Sequence, residues 1–63
     1  MAKTDVVVKL TETDGNAFAI MGKVTKALKN AGHIDLAKEY QKEAMKGDYD
    51  NLLRVSMEYV EVE

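Results

Sequence analysis

The side chains able to do chemistry in this sequence are few, and their spacing does not gather them. His33 is the one histidine and there is no cysteine, so a zinc site would need carboxylates in place of the usual nitrogen and sulfur ligands. A general base needs a nucleophile or an orienting carboxylate within reach. His33 has only Asp35 close by in sequence, where the start of a helix commonly places an acid, so it reads as a turn or capping residue. Asp48, Asp50 and Asn51 open like a calcium loop. The glycine and glutamate required at that loop's sixth and twelfth positions are here Leu53 and Tyr59, and the match fails. Asp48 is better read as a helix cap, with Asp50 favourable in the first turn. Asp14-Gly15-Asn16 lacks a following Gly-Lys-Ser/Thr and is a turn rather than a phosphate cradle. Ser56 has no nucleophile-elbow glycines around it and reads as a small residue at a packed contact. No triad or carboxylate pair assembles, so the sequence predicts no catalysis, no cofactor and no metal.

Charge is more informative than any motif. Between residues 23 and 46, Lys23, Lys26, Lys29, Lys38, Lys42 and Lys46 face only Asp35, Glu39 and Glu43, while the formal net charge of the chain is -2. A lysine-rich helical hairpin on an acidic body suits phosphates. A small nucleic-acid-binding domain using those six lysines is therefore the alternative reading. Against it, the chain has one arginine, and Gln41 is the only base-reading side chain on the second helix of the hairpin. Each of Lys38, Lys42 and Lys46 also has an acid three residues before it, the spacing of a helical ion pair.

The elements that must position these residues follow from periodicity. Asp5–Thr11 reads as a strand with Val6, Val8 and Leu10 on one face and Val7, Lys9 and Thr11 on the other. Residues 12–16 supply turn and capping chemistry. A first helix spans about Ala17–Asn30, with a stripe of Ala17, Ile20, Met21, Val24, Ala27, Leu28 and Ala31, Phe18 at its edge, and Gly32 as its stop. Gly22 breaks the pattern, and a close approach by another helix or strand would explain it. A second helix runs from Ile34 or Asp35 to Lys46, burying Leu36, Ala37, Tyr40, Ala44 and Met45. A third starts after Asp48 and reaches Met57 or Glu58, with Tyr49, Leu52, Leu53, Ser56, Met57 and Val60 in phase. Tyr59-Val60-Glu61-Val62-Glu63 then alternates as a strand does. The expected fold is α+β, in the order β-α-α-α-β, with three short helices packed on a small sheet made by the N- and C-terminal strands.

At 63 residues, 46% hydrophobic and 32% charged, the chain suits one small globular domain. Such a domain buries only about 60% of its unfolded surface and is marginal without reinforcement. No apolar run approaches the roughly 20 residues that cross a bilayer. Val6-Val7-Val8 is too short for a signal peptide's apolar region, so the expected location is cytoplasmic. An isolated two-stranded sheet is itself marginal, and its edges offer backbone groups to another chain. The leading reading is thus a protein–protein interaction or accessory module, self-associating as a homodimer through strand pairing. Val7, Lys9, Tyr59, Glu61 and Glu63 are its expected interface, and the three tyrosines are otherwise core or rim. Val6-Val7-Val8-Lys9-Leu10, Asp14-Gly15-Asn16-Ala17-Phe18, Gly47-Asp48-Tyr49-Asp50 and the acidic end together resemble small uncharacterised proteins of bacteria and their mobile elements. That resemblance implies a compact domain and no particular activity.

Overall fold

Asn16 opens the first helix, its side-chain oxygen accepting from the N–H groups of Phe18 and Ala19 and so satisfying two of the donors that a helix start leaves free. The structure is a computed structural model that describes residues 2–10 and 16–63. The turn expected of Glu12, Thr13, Asp14 and Gly15, and the strand's end at Thr11, lie outside the described residues. The element order is β1 (Val7–Val8), α1 (Ala17–Asn30), α2 (Ile34–Ala44), α3 (Tyr49–Tyr59) and β2 (Glu61–Val62). The fold is α+β in the expected order, with three helices beside a two-stranded sheet made by the chain's two ends.

Local chemistry sets each boundary. α1 stops in a Schellman motif: Gly32, at φ +87°, donates to the Lys29 carbonyl, and the His33 N–H reaches back to Leu28. Only glycine adopts that backbone conformation without strain. His33 then serves as the N-cap residue of α2 but makes no side-chain capping bond, so its contribution is made by its backbone. Asp48 caps α3 by accepting from the Asn51 N–H at 3.0 Å. Asn51 in turn donates to the Glu43 carbonyl at the end of α2, binding the α2–α3 corner together. A Cβ on Gly47 would fall 2.8 Å from the Cβ of Asn51, so this corner closes only over a glycine.

The two strands are parallel, with Val7 opposite Glu61 and Val8 opposite Val62. Backbone bonds extend the pairing on either side, from Lys3 N–H to Glu58 and from Leu10 N–H to Glu63. Parallel neighbours need a long crossover, and α1, α2 and α3 together form it. One hydrophobic cluster fills the space between them. It takes in Val8 from the sheet, Ile20, Met21, Val24 and Leu28 from α1, Ala37, Tyr40 and Ala44 from α2, and Leu52, Val55 and Tyr59 from α3, with Val60 beyond it. A polar chain crosses this core. The Tyr40 hydroxyl and Ser56 Oγ lie 2.7 Å apart, and Ser56 Oγ donates to the Leu52 carbonyl at 2.8 Å, which leaves Tyr40 as the donor in the first bond. Every proton there has an acceptor, so burial does not leave it orphaned. Thr25 Oγ1, by contrast, is buried without a partner among the described residues.

Four expectations are corrected. Met45 and Met57, placed on apolar stripes, are 65% and 63% exposed, because eleven-residue helices in a three-helix layer bury only a narrow strip. Phe18 is 78% exposed, well outside the edge position expected of it. The tail strand is shorter than the alternation suggests, since α3 continues through Tyr59 and only Glu61–Val62 are strand. Gly22 meets no close neighbour: a Cβ there would touch nothing within 4 Å.

That last correction generates a measurement. Gly22→Ala removes a helix-interior glycine without a clash and should raise the unfolding free energy by about 0.5–1 kcal/mol. Urea denaturation of the two proteins side by side reads it; an unchanged midpoint would remove the cost assigned to the glycine, and a lower one would show that the fold requires it.

Candidate functional site

Among the sheet residues expected at an interface, the structure brings four together on the outer face. Val7 is half exposed and stands in register with Glu61, with Lys9 and Glu63 exposed on the same side by strand alternation. Tyr59 is not among them. It closes α3, is 3% exposed, and spends its ring and hydroxyl inside the molecule. The alternation that suggested an outward Tyr59 begins one residue later than it reads, at Val60.

Tyr59 instead centres a cluster that joins three segments. Its hydroxyl donates to Glu39 Oε2 at 2.6 Å. Lys3 Nζ lies 3.1 Å from the same oxygen and 4.5 Å from the centre of the Tyr59 ring, a cation–π distance. Tyr40 meets the ring edge-on, with centroids 5.5 Å apart. The Tyr59 hydroxyl, then Lys3, hold the Glu39 carboxyl below the ordinary carboxylate range. Burial, then the Glu39 carboxylate, push the Tyr59 phenol up, and Glu39 does the same to the Lys3 ammonium. A phenol pushed up stays protonated at neutral pH and is a donor, not a base. The cluster is built to hold chain segments together, and its chemistry is that of a fastener.

A second place was missed by sequence reasoning. The start of α1, the end of α2 and the start of α3 meet around an open groove of about 250 Å³. Met21, Ala44 and Leu52 form its floor, while Phe18, Met45 and Tyr49 stand exposed around it. Among the described residues the one charged side chain on it is Asp48, whose carboxylate is already used as the α3 cap. Its described lining is therefore apolar, and nothing among the described residues converges in it to activate a substrate. The signal available in the sequence was the near-repeat of large apolar residues beside helix ends, at Phe18, Met45 and Tyr49.

The lysines lie on the helical hairpin as expected, but their acids do not all serve them. Lys46 pairs with Glu43 at 2.6 Å. Glu39, three residues before Lys42, is instead engaged by Lys3 and Tyr59, and Asp35 makes no ion pair with Lys38. Among the described residues, Lys23, Lys26, Lys29, Lys38 and Lys42 have no ion-pair partner. No group of three metal-ligating side chains forms among the described residues, and none of their helices is long and apolar enough to cross a membrane.

The Glu39 cluster makes stability depend on pH at both ends. Glu39, with its folded value lowered, stabilises the fold above the unfolded carboxylate value of about 4.3, and that contribution is lost as pH falls through its folded value. Tyr59 and Lys3, with raised folded values, contribute below about pH 10 and lose that contribution as pH climbs past it. The difference in urea midpoint between the parent and Glu39→Gln should shrink as pH drops below about 4.3. A difference that stays constant into strong acid would show that the carboxylate charge plays no part. No protein-family model matches the chain, and neither a curated protein nor a solved structure is significantly similar to it.

Proposed function

We propose that this chain is a small protein–protein interaction module, acting in the cytoplasm as an accessory or regulatory protein rather than as an enzyme. The observation that carries the reading is the groove ringed by exposed Phe18, Met45 and Tyr49. Isolated exposed apolar residues are ordinary, but a contiguous apolar patch around a concavity marks a contact surface. The outer sheet face, with Val7, Lys9, Glu61 and Glu63, is a second surface, suited to a homodimer formed by strand pairing. Because Phe18 and Met45 are exposed, replacing both with serine should leave stability within about 0.5 kcal/mol while removing the partner. Proteins retained from the host's extract by the immobilised chain, compared with those retained by the double variant, test this. Identical sets would sink the groove as the contact. Sedimentation from low to high micromolar protein tests the homodimer, and a monomer throughout removes it.

A second reading, contact with nucleic acid, is favoured by one observation: five lysines on α1 and α2 lack acidic partners among the described residues. It expects binding to mixed-sequence DNA or RNA that weakens steeply between about 50 and 200 mM salt, as released counterions require. Fluorescence anisotropy of labelled oligonucleotides decides it. An absence of binding at high micromolar protein closes this reading.

A further inference from the structure

We propose that the outward face of the α1–α2 hairpin receives a partner helix, apolar along one side and acidic along its flanks, with one large apolar side chain seated beside Phe18 and Met45. This rests on the interaction-module reading and names the partner's chemistry. α1 and α2 pack against each other, and Phe18 and Met45 line the same groove, which sets the start of one outward stripe beside the end of the other. Along α1 the stripe reads Phe18, Gly22, Lys29, and along α2 and its C-cap residue it reads Ile34, Lys38, Met45, each at intervals of four and then seven. Residues so spaced share one helix face. All six are exposed, Ile34 at 53%.

Gly22 indicates how close the occupant comes. Its place in mid-helix weakens α1, and among the described residues nothing lies within 4 Å of where its Cβ would be. A glycine one turn from Phe18 leaves a flat spot on which another backbone can lie closer than any side chain would permit. The charge indicates what flanks the occupant. Lys26 and Lys29 on α1, and Lys38 and Lys42 on α2, are without ion pairs among the described residues, Lys42 because Glu39 is drawn away to Tyr59 and Lys3. Such a rim attracts acidic side chains and repels basic ones. Phosphates alone would answer the lysines but leave Phe18, Ile34 and Met45 in water. An anionic bilayer would answer both, yet it has no use for the concavity or the glycine. A helix laid into a groove, anchored by side chains a turn apart, uses all of them.

The test is a selection of random peptides displayed on phage against the full chain, with the Phe18→Ser/Met45→Ser protein as decoy. Enriched peptides should be net negative, with apolar residues three and four apart. Their affinities, read by anisotropy, should fall about tenfold with Lys29→Glu/Lys38→Glu and with Gly22→Gln, and remain unchanged with Met57→Ser on α3. Gly22→Gln introduces a better helix former, so weaker binding with undiminished stability reports the lost close approach. Enrichment of neutral or basic peptides that still require Phe18 would overturn the acidic partner and leave the interaction-module reading standing. No enrichment over the decoy would overturn both. Tighter binding of mixed-sequence RNA, or of phosphatidylcholine–phosphatidylserine vesicles, than of the best peptide would overturn the helix as occupant.

Discussion

The hydroxyl of Tyr59 reaches Glu39 at 2.6 Å while Lys3 lies over its ring and Tyr40 meets its edge. One side chain at the end of α3 thereby ties down the segment before β1, the middle of α2 and the entry to β2. The sheet depends on this junction. Two strands with a two-residue ladder do not hold themselves together in water. They are brought into line because the Lys3 and Thr4 N–H groups pair with the Glu58 and Tyr59 carbonyls just before β2 begins. Beneath, the bond between Tyr40 and Ser56 fixes α2 against α3 inside the core. In a chain whose single core is small for its surface, those polar links specify which ends meet as much as apolar area does.

The same junction shapes the surface. Glu39 is the acid that the sequence offers to Lys42, and the fold assigns it to Tyr59 and Lys3. The ion pairs expected along α2 therefore reduce to Glu43 with Lys46, and positive charge accumulates on the hairpin while the tail stays acidic. Intramolecular order and outward charge are thus coupled, because a carboxylate engaged by Tyr59 and Lys3 is unavailable to pair with Lys42.

Much of the architecture was legible, for physical reasons. Asn16, Gly32 and Asp48 are residues whose side chains or backbone suit helix ends, and they mark the ends they occupy. The parallel direction of the strands, left open by pattern reading, follows from connectivity. The crossover made by the three helices returns the chain alongside β1 in the same direction. What periodicity could not give is the width of the buried strip. Met45 and Met57 are in phase with the core yet lie beyond its edge, while Val55 and Thr25 lie within it. Tyr59 was misplaced because the transition from helix to strand falls between residues 59 and 61, where both patterns fit. The groove was legible only as large apolar residues beside helix ends, since Phe18, Met45 and Tyr49 lie in separate parts of the chain and meet only once its helices pack.

Some departures, at Met57, Tyr59 and the tail strand, lie on or after α3, but a group of them gathers elsewhere. A sequence that specifies one structure satisfies propensity, patterning and charge pairing together, and departures concentrate where something other than folding is being served. Phe18 should have been nearer the core, Gly22 should have been a better helix former, Met45 should have been buried and Lys38 and Lys42 should have been paired. All five lie on the hairpin formed by α1 and α2, four of them at exposed positions of its two outward stripes. The interior, by comparison, follows the rules closely, with Thr25 as its exception. Folding alone gives no reason to collect an exposed phenylalanine, a mid-helix glycine and lysines without ion pairs among the described residues on one hairpin. A contact made there by another molecule gives one reason for all of them.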